Sequence, residues 1–284
     1  MKGARIMGKK LSSPQGLRGK VAFITGASGA LGSDVARALH ARGVRVALLG
    51  RNTDKLETLA RELGGPEKAL AIDMNVRNLA SVEAAAKSAA EHFGGIDIVI
   101  AGAGMVTTEL VEDYSATGFV DDIDTNLNGV WRTIKATLPY LRESKGHVSI
   151  IASLASFIHM PEISAYSASK AGVLALANSL RLELDGSGVT VGTIHPSFFE
   201  SALGDALTSS PLLSRASGNF TGLFAPVKRE DVVAAIVKNI ERRSRVAVLP
   251  RAFSALSLAP GLGQRVIEPY LSHNLRRGTE KLER

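Results

Sequence analysis

Four side chains able to hold or move a proton occur at spacings that bring them together. Tyr166 and Lys170 are four residues apart in a segment with helical apolar periodicity, which places them on one helix face. A phenol ionises more readily beside an ammonium group, so the pair is suited to general acid/base chemistry. Ser153 ends a predicted strand thirteen residues before Tyr166, and Asn126 lies in the preceding predicted helix. We expect all four side chains to meet at one end of a sheet.

A glycine-rich segment, residues 25–32, joins the first predicted strand to a helix. Glycines there let the backbone turn sharply and approach a pyrophosphate, whose charge is met by free N–H groups and the helix dipole. In a parallel sheet this first junction is where a dinucleotide lies. A purely structural turn is the alternative.

The end of the second predicted strand carries Arg51 and Asn52. An acidic residue at this place binds the ribose 2′-hydroxyl of NAD(H), whereas a basic one accepts the 2′-phosphate of NADP(H). Arg51 is suited to charge-assisted bonds with that phosphate, helped by the Ser28 hydroxyl. The sequence therefore favours NADP(H) over NAD(H), with a solvated loop arginine as the alternative interpretation of Arg51.

Short β-branched runs alternate with longer segments of helical periodicity, and this predicts an α/β fold with a doubly wound, parallel, seven-stranded sheet. Ligands bind such sheets beyond the carboxyl ends of the strands. The predicted strands are 21–25, 44–49, 69–72, 96–100, 147–152, 189–194 and 245–249. The predicted helices are 31–42, 55–63, 79–93, 119–142, 165–184 and 231–242.

The composition excludes several classes of protein. The 284 residues are 45% apolar and 21% charged, and they include no cysteine, so a disulfide scaffold and a thiolate nucleophile are excluded. No stretch approaches the roughly 20 apolar residues of a membrane span, and the amino terminus has no secretory apolar core. No paired His/Asp/Glu spacing predicts a metal site. We expect a cytoplasmic protein.

The net charge of +7 is concentrated at the two ends of the chain. Residues 1–20 carry six basic and no acidic side chains, residues 242–284 carry nine and three, and the body carries nineteen and twenty-four. We therefore predict a disordered basic arm over 1–17, a catalytic domain over 18–250 and a basic helical extension over 251–284. Because the body is acidic, nucleic acid is not an expected partner, although a membrane surface at the termini stays open.

These motifs, in this order and spacing, resemble the single-domain branch of the short-chain dehydrogenase/reductase family. The resemblance covers roughly residues 18–250 and rests on the glycine turn, Asp73, residues 101–104, Asn126, Ser153, Tyr166, Lys170 and Pro196. It implies a Rossmann fold, a nicotinamide cofactor, and hydride transfer between nicotinamide C4 and a carbonyl or alcohol carbon.

The resemblance also implies a role for each member of the tetrad. Tyr166 is then the acid in reduction and the base in oxidation, and Lys170 holds the nicotinamide ribose hydroxyls. Ser153 donates to the substrate oxygen, and Asn126 positions a relay water. A homodimer or homotetramer is expected on the same ground.

Cofactor contacts follow from the same resemblance. Asp73 is expected to accept from the adenine amino group beside the Met74 backbone, and Ser201 replaces a threonine that binds the carboxamide. The complete set of expected cofactor contacts is Gly26, Ser28, Gly29, Ala30, Leu31, Gly32, Arg51, Asn52, Asp73, Met74, Ala101, Gly102, Tyr166, Lys170, Pro196 and Ser201.

Three departures from the family pattern bear on that site. Ala30 stands at a usual glycine, so a methyl group must fit near the phosphates and is expected to weaken binding. Ala101 and Gly102 replace two asparagines that steady the fourth strand, and Ser197 replaces the glycine after Pro196.

The resemblance also implies a substrate loop over residues 197–225, and this segment is rich in phenylalanine and leucine. An apolar ketone, aldehyde or alcohol is favoured, because such pockets bind by area removed from water; packing of these side chains on the body is the alternative. A non-catalytic nucleotide sensor, or a membrane or nucleic-acid binder working through the basic ends, are the rival functions.

Residues 252–260 are apolar and flanked by arginines. They are suited to a membrane surface, to covering the substrate pocket, or to a second subunit. Pro260 and Pro269 predict that the chain beyond forms short helices.

Overall fold

The computed structural model describes residues 16–279. The disorder expected for the basic arm at 1–17 therefore concerns residues that lie outside the description, apart from Gly16 and Leu17. Leu17 is buried and packs with the core beside β1, so its side chain belongs to the folded body rather than to an arm.

Seven parallel strands form one sheet in the order β3-β2-β1-β4-β5-β6-β7. The strands are β1 Val21–Thr25, β2 Arg45–Gly50, β3 Ala69–Asp73, β4 Ile98–Ala101, β5 His147–Ile151, β6 Thr190–Pro196 and β7 Val246–Leu249. The chain reverses its direction of progress between β1 and β4, which creates a crevice at their carboxyl ends. The predicted doubly wound, seven-stranded sheet is confirmed.

Helices cover both faces of the sheet. They are α1 Ala30–His40, α2 Thr53–Glu62, α3 Leu79–Phe93, α4 Ala116–Ile123, α5 Gly129–Ser144, α6 Ser164–Glu183, α7 Ala202–Thr208, α8 Pro211–Ala216, α9 Arg229–Arg242 and α10 Pro260–Thr279. Phe23 packs under α3, α5 and α6, whereas the next residue, Ile24, packs under α1, α2 and α9. Because alternate strand residues point to opposite faces, this double burial explains the continuous apolar runs.

The predicted helix 119–142 differs from the observed one. Helix α4 begins at Ala116, and a five-residue π-helical turn, Asp124–Asn128, joins it to α5. Asn126 lies in this turn, and its amide binds the backbone of Met105 instead of facing solvent. A π turn of this kind inserts an extra residue into the helix and is frequent at functional sites.

The prediction of short helices beyond Pro260 is wrong. Helix α10 runs without a break from Pro260 to Thr279 and contains Pro269. Proline at 269 removes one backbone N–H, but Ile267 and Leu271 on either side are buried in a cluster with residues of α7 and α8 and keep the helix in place. Within residues 16–279, no helix is both long and apolar enough to cross a bilayer.

Candidate active site

One large cavity, about 360 Å³, opens at the carboxyl ends of the strands. One half is formed by the glycine-rich turn after β1 and by the ends of β2 and β3. The other half is formed by β5, the start of α6 and the segment after β6. The chain therefore brings the predicted phosphate-binding turn and the predicted proton-transfer side chains to one site.

The glycine-rich turn shows which glycines the fold requires. Gly26 has a φ of +73°, and a Cβ there would lie 2.9 Å from the Ala103 nitrogen. A Cβ on Gly32 would lie 2.3 Å from the Gly26 oxygen. Gly29 differs, because its φ of −82° suits any residue and a Cβ would meet only the Gly26 oxygen, at 3.4 Å. The fold therefore does not require glycine at position 29, and the absence of a side chain there leaves open space at the cavity wall.

The first turn of α1 fits a phosphate group. Gly29 is the N-cap of this helix, no side chain caps the helix, and no acidic residue lies in its first turn. The N–H groups at the start of a helix, together with its dipole, attract an anion. Ala30, the departure from the family pattern, lines the cavity as the first residue of this helix.

Strand β4 is tied to β1 without asparagine side chains. The Thr25 hydroxyl oxygen accepts hydrogen bonds from the backbone of Gly102 at 3.0 Å and of Ala103 at 3.2 Å. The stabilising bonds that Ala101 and Gly102 cannot supply from their own side chains thus come from β1. A Cβ on Gly102 would lie 3.0 Å from the Thr25 carbonyl oxygen, which is a tight contact with β1.

Arg51 follows β2 at the rim of the cavity, beside Ser28. Among residues 16–279, Arg51 has no hydrogen-bond or ion-pair partner and its side chain is exposed. An unpaired guanidinium at this rim suits a phosphate monoester. Asn52 has another role, because its side chain accepts from the Lys55 N–H and caps α2.

Ser153 stands at the carboxyl end of β5 and begins a short 3₁₀ turn. Its Oγ accepts from the Ala155 N–H at 3.1 Å, and the ring of His195 contacts its carbonyl at 3.1 Å. His195 is buried, its other nitrogen lies 2.9 Å from the Thr193 hydroxyl, and burial lowers its pKa to about 4. A neutral His195 therefore braces the backbone that carries Ser153.

Tyr166 and Lys170 lie one turn apart on α6, both buried. The Lys170 ammonium donates a hydrogen bond to the Ile151 carbonyl at 3.0 Å, and its nitrogen lies 5.5 Å from the centroid of the Tyr166 ring. Burial raises the pKa of Tyr166 to about 12, although the Ser153 hydroxyl opposes this rise, and burial lowers the pKa of Lys170 to about 8.

In the protein without cofactor, the net effect on the tyrosine pKa is thus a rise, and the lowering expected beside Lys170 and a nicotinamide ring stays a prediction. Desolvation disfavours the phenolate more than the neighbouring groups favour it. Tyr166 is a protonated phenol at neutral pH, which is the form that donates a proton.

Asn126 is fully buried and its amide is occupied by one residue. Its Oδ1 accepts from the Met105 N–H at 2.8 Å, and its Nδ2 donates to the Met105 carbonyl at 2.9 Å. A Cβ on Gly104 would lie 3.1 Å from Asn126 Oδ1 and 3.8 Å from Lys170 Nζ. Asn126 and Lys170 thus both lie close to Gly104. The Asn126 side chain fixes the segment after β4 through its two bonds to Met105.

The structure places most of the expected cofactor contacts on the cavity wall. Fourteen sequence-predicted residues, catalytic or cofactor-binding, line it: Gly26, Ser28, Gly29, Ala30, Leu31, Gly32, Arg51, Met74, Gly102, Ser153, Tyr166, Lys170, Pro196 and Ser201. Four others do not: Asn52 caps α2, Asp73 is exposed at the end of β3, Ala101 is buried within β4, and Asn126 lies behind Met105.

Sequence reasoning missed several wall residues. Asn75 and Arg77 line the cavity after β3, and Ile158, Met160 and Ile163 line it before α6. These residues lie in connecting segments, where neither periodicity nor spacing gives a signal.

The cavity wall opposite the glycine-rich turn is apolar, and the carboxyl-terminal extension packs behind it. Phe224 lines the cavity and is buried. The rings of Phe253 and Tyr270 pack on it, with centroid distances of 5.8 and 6.1 Å. Gln264 of α10 accepts from the His159 N–H at 2.8 Å. Of the three interpretations of the extension, covering of the substrate side is the one that these contacts match.

The fold and this cavity define a Rossmann-type nucleotide-binding protein with a tyrosine–lysine pair at the carboxyl end of its sheet. Residues 20–211 match the family described as short chain dehydrogenase. The chain belongs to the short-chain dehydrogenase family and is an oxidoreductase. The resemblance drawn from the sequence is thereby confirmed.

Named relatives agree with this assignment. A Staphylococcus epidermidis protein described as an uncharacterized oxidoreductase is 35% identical over 185 residues, which are 65% of this chain and 80% of the relative. The alcohol dehydrogenase of the archaeon Thermococcus sibiricus, solved with 5-hydroxy-NADP, is 30% identical with a TM-score of 0.69, over 81% of this chain and 94% of that one. A short-chain type dehydrogenase/reductase from Mycobacterium marinum is 28% identical with a TM-score of 0.74, over 82% and 94%.

Proposed function

We propose that this protein is an NADP(H)-dependent oxidoreductase that interconverts an apolar ketone or aldehyde and the corresponding alcohol. The observation that carries the proposal is the meeting of Ser153, Tyr166 and Lys170 in the same cavity as the glycine-rich turn and Arg51. The nicotinamide group, when bound, supplies or accepts the hydride at its C4 atom. All other steps belong to side chains of this chain.

In the direction of reduction, the Tyr166 phenol gives its proton to the carbonyl oxygen as the carbonyl carbon gains the hydride. Ser153 donates a hydrogen bond to the same oxygen and stabilises the charge that develops there. Burial keeps Tyr166 protonated until that moment, because its pKa lies near 12 in the free protein. The pKa of Lys170 is lowered to about 8 by burial, and its ammonium returns a proton to the Tyr166 oxygen after each turnover.

The cofactor part of the proposal assigns the adenosine end to the rim near β2. Arg51 and Ser28 hold the 2′-phosphate of NADP(H), and the first turn of α1 receives the pyrophosphate. The support is the unpaired guanidinium at Arg51, the uncapped helix start and the open space at Gly29. Among the similar structures, the Thermococcus sibiricus enzyme was solved with 5-hydroxy-NADP and a Burkholderia phymatum protein with NAD, so the preference rests on Arg51.

The substrate part of the proposal rests on the composition of the wall opposite the glycine-rich turn. Leu154, Ile158, Met160, Leu203 and Phe224 line it, and no arginine or lysine other than Lys170 lines that side. Apolar walls bind by area removed from water, which favours an aliphatic or aromatic substituent on the carbonyl. We assign residues 197–225 as the substrate loop of a catalytic domain over 18–250.

A homodimer or homotetramer belongs to the same proposal. Val120 on α4, Trp131 on α5 and Leu182 on α6 are exposed by 57%, 44% and 80% on neighbouring helices. Packing against a second subunit would remove such large apolar side chains from water. Sedimentation velocity gives the test, since a monomer at micromolar concentration would contradict this part alone. The cytoplasmic location stays a prediction.

The testing experiment is a parallel fluorescence titration of the purified protein with NADPH and NADH. It is followed by nucleotide oxidation against a series of ketones of increasing apolar size. We expect tighter binding of NADPH, and turnover that rises with apolar area until the pocket is filled. Binding without turnover would contradict the enzyme and favour a nucleotide sensor. Equal affinity for both nucleotides would contradict the role of Arg51.

A further inference from the structure

A fully buried carboxylate, Asp122, lies on α4 one turn before Asn126. Its two oxygens accept from the Thr107 backbone N–H at 3.0 Å and from the Thr107 hydroxyl at 3.2 Å. Asn126 binds both backbone groups of Met105. Asp122 at the end of α4 and Asn126 in the π turn that follows therefore hold residues 107 and 105, respectively.

The segment they hold is part of the active-site wall. Gly104 and Met105 line the cavity, and Gly104 lies against Lys170. Thr107 is held from a second side as well, because the Tyr114 hydroxyl donates to its carbonyl at 2.9 Å. Without Asp122, the Thr107 N–H would lose its acceptor in a partly buried place, which is costly. The carboxylate thus fixes the shape of this wall.

The charge of Asp122 also reaches the catalytic pair across the contact between α4 and α6. It raises the pKa of Lys170 against the effect of burial, and it raises the pKa of Tyr166 further. Both effects have the same sign, since a negative charge favours the proton-bearing form of either group. No other charged side chain among residues 16–279 acts noticeably on both.

The surroundings of Asp122 are mostly acidic or neutral. Burial, Asp121 and Glu109 raise the pKa of its own carboxyl, and the two bonds from Thr107 oppose this rise. The titratable groups that face it are Glu109 and Tyr114 from the segment after β4, Asp121 from α4, and Tyr166 and Lys170 from α6. The ammonium of Lys170 is the only cation in this set.

We propose that Asp122 is a positioning residue of the reductase site, which fixes the wall at residues 105–107 and keeps the Tyr166–Lys170 pair in its protonated form. This inference rests on the proposed function. Because the negative charge of Asp122 favours the proton-bearing form of both groups, neutralising Asp122 makes each of them lose its proton at lower pH. Carbonyl reduction then declines at lower pH, and alcohol oxidation begins at lower pH.

The test separates charge from shape with two substitutions. Asp122→Asn keeps the size of the side chain, an acceptor for the Thr107 N–H and a partner for its hydroxyl, but removes the charge. Asp122→Ala removes both. We expect Asp122→Asn to move the pH profiles of kcat for both directions down by about one unit, with NADPH affinity at pH 7 within twofold. Asp122→Ala should show the same shift and a several-fold higher KM for the ketone.

Asp113→Asn is the matched control, since it removes one carboxylate from an exposed position of the same segment. Its pH profile should coincide with that of the unaltered protein. An Asp122→Asn profile that also coincides with it, in an active enzyme, would overturn the inference. A readout without turnover is the tyrosinate absorbance at 295 nm with NADP⁺ bound, taken as the difference between each protein and its Tyr166→Phe counterpart.

The absorbance readout keeps the two proposals separable. If the unaltered protein reduces no carbonyl, the proposed function is contradicted, while the phenolate midpoint still decides the inference. A midpoint unchanged by Asp122→Asn overturns it, and a midpoint lowered by about one pH unit supports it. Asp122→Asn alone suffices for this decision if Asp122→Ala does not fold.

Discussion

The Lys170 ammonium donates to the carbonyl of Ile151 at 3.0 Å, which ties α6 to the end of β5. This bond holds the lysine beside Tyr166 without an acidic partner in direct contact. Burial raises the pKa of Tyr166 to about 12 in the protein without cofactor. In the protein without cofactor, Tyr166 is therefore held as the neutral phenol.

Replacement of Tyr166 by phenylalanine tests its role as the proton donor. We expect Tyr166→Phe to lower kcat by about 10²- to 10⁴-fold, since a positioned acid contributes on this scale. NADPH affinity should stay within twofold, because the ring remains and Lys170 is unchanged. Tyr140→Phe, a tyrosine on α5 away from the cavity, is the control and should keep full activity. Residual turnover above a tenth of the original would contradict the assignment.

Cofactor choice is expected to depend on one guanidinium. Arg51→Asp should weaken NADPH binding by about ten- to a hundredfold, since it removes a charge-assisted bond and adds repulsion. NADH affinity should rise or stay constant, so the preference reverses. Arg61→Asp makes the same charge change on an exposed face of α2 and should leave the preference intact. Equal losses of NADPH affinity in the two variants would mean that the cofactor responds only to the net charge of the protein, and would contradict a direct contact with Arg51.

Substitutions of Gly29 and Gly26 are expected to affect different properties, cofactor affinity at Gly29 and stability of the fold at Gly26. Gly29→Ala should leave the melting temperature unchanged, because its Cβ has room and its φ is ordinary. It should nevertheless lower NADPH affinity tenfold or more, since the methyl group occupies the space of the pyrophosphate. Gly26→Ala should destabilise the fold itself, given its positive φ and the contact of 2.9 Å. Calorimetry with and without NADPH separates the two outcomes.

Stability should fall as the pH drops below about 6.5, because two histidines are buried in neutral form. Burial lowers the pKa of His147 and of His195 to about 4, so only the unfolded chain takes up protons between pH 6.5 and 4. Each contributes on the order of 3 kcal/mol at neutral pH, and this is lost as the pH falls through that window.

The pH dependence can be assigned to one residue by substitution. His147 contacts Thr190 at 2.8 Å and Asn239 at 3.1 Å, and His147→Gln should flatten the dependence of the unfolding free energy measured in urea. His273→Gln, on the exposed side of α10, should leave the slope as it was. A steep slope that survives His147→Gln unchanged would assign the effect elsewhere.

The carboxyl-terminal helix is expected to act on substrate rather than on cofactor. Tyr270→Ala removes the ring that stacks on Phe224 at 6.1 Å, so the apolar wall loses its support. The KM for a large apolar ketone should rise about two- to tenfold, with the NADPH affinity unchanged. Val266→Ala, on the exposed face of the same helix, is the control. A change in NADPH affinity without a change in KM would contradict this role.

Much of the fold could be predicted because its signals are local. The apolar runs at β1 and β5 and the helical period of α3 and α6 mark their own segments. The observed bounds of β1 and α3 equal the predicted ones, and those of β5 and α6 differ by one residue. Spacing likewise predicted that Tyr166 and Lys170 share a helix face. Asn126 departs from expectation because a π turn rotates its amide toward Met105.

Local pattern determined the α/β class, the parallel sheet, the glycine-rich turn and the tyrosine–lysine pair, since each depends on residues within a few positions of one another. Tertiary structure alone decided the burial that sets the pKa values of Tyr166 and Lys170 and the support of Phe224 by α10. It also brought Asp122 to Thr107. Desolvation and packing depend on segments far apart in the chain, and no spacing along one segment records which distant segment will cover it.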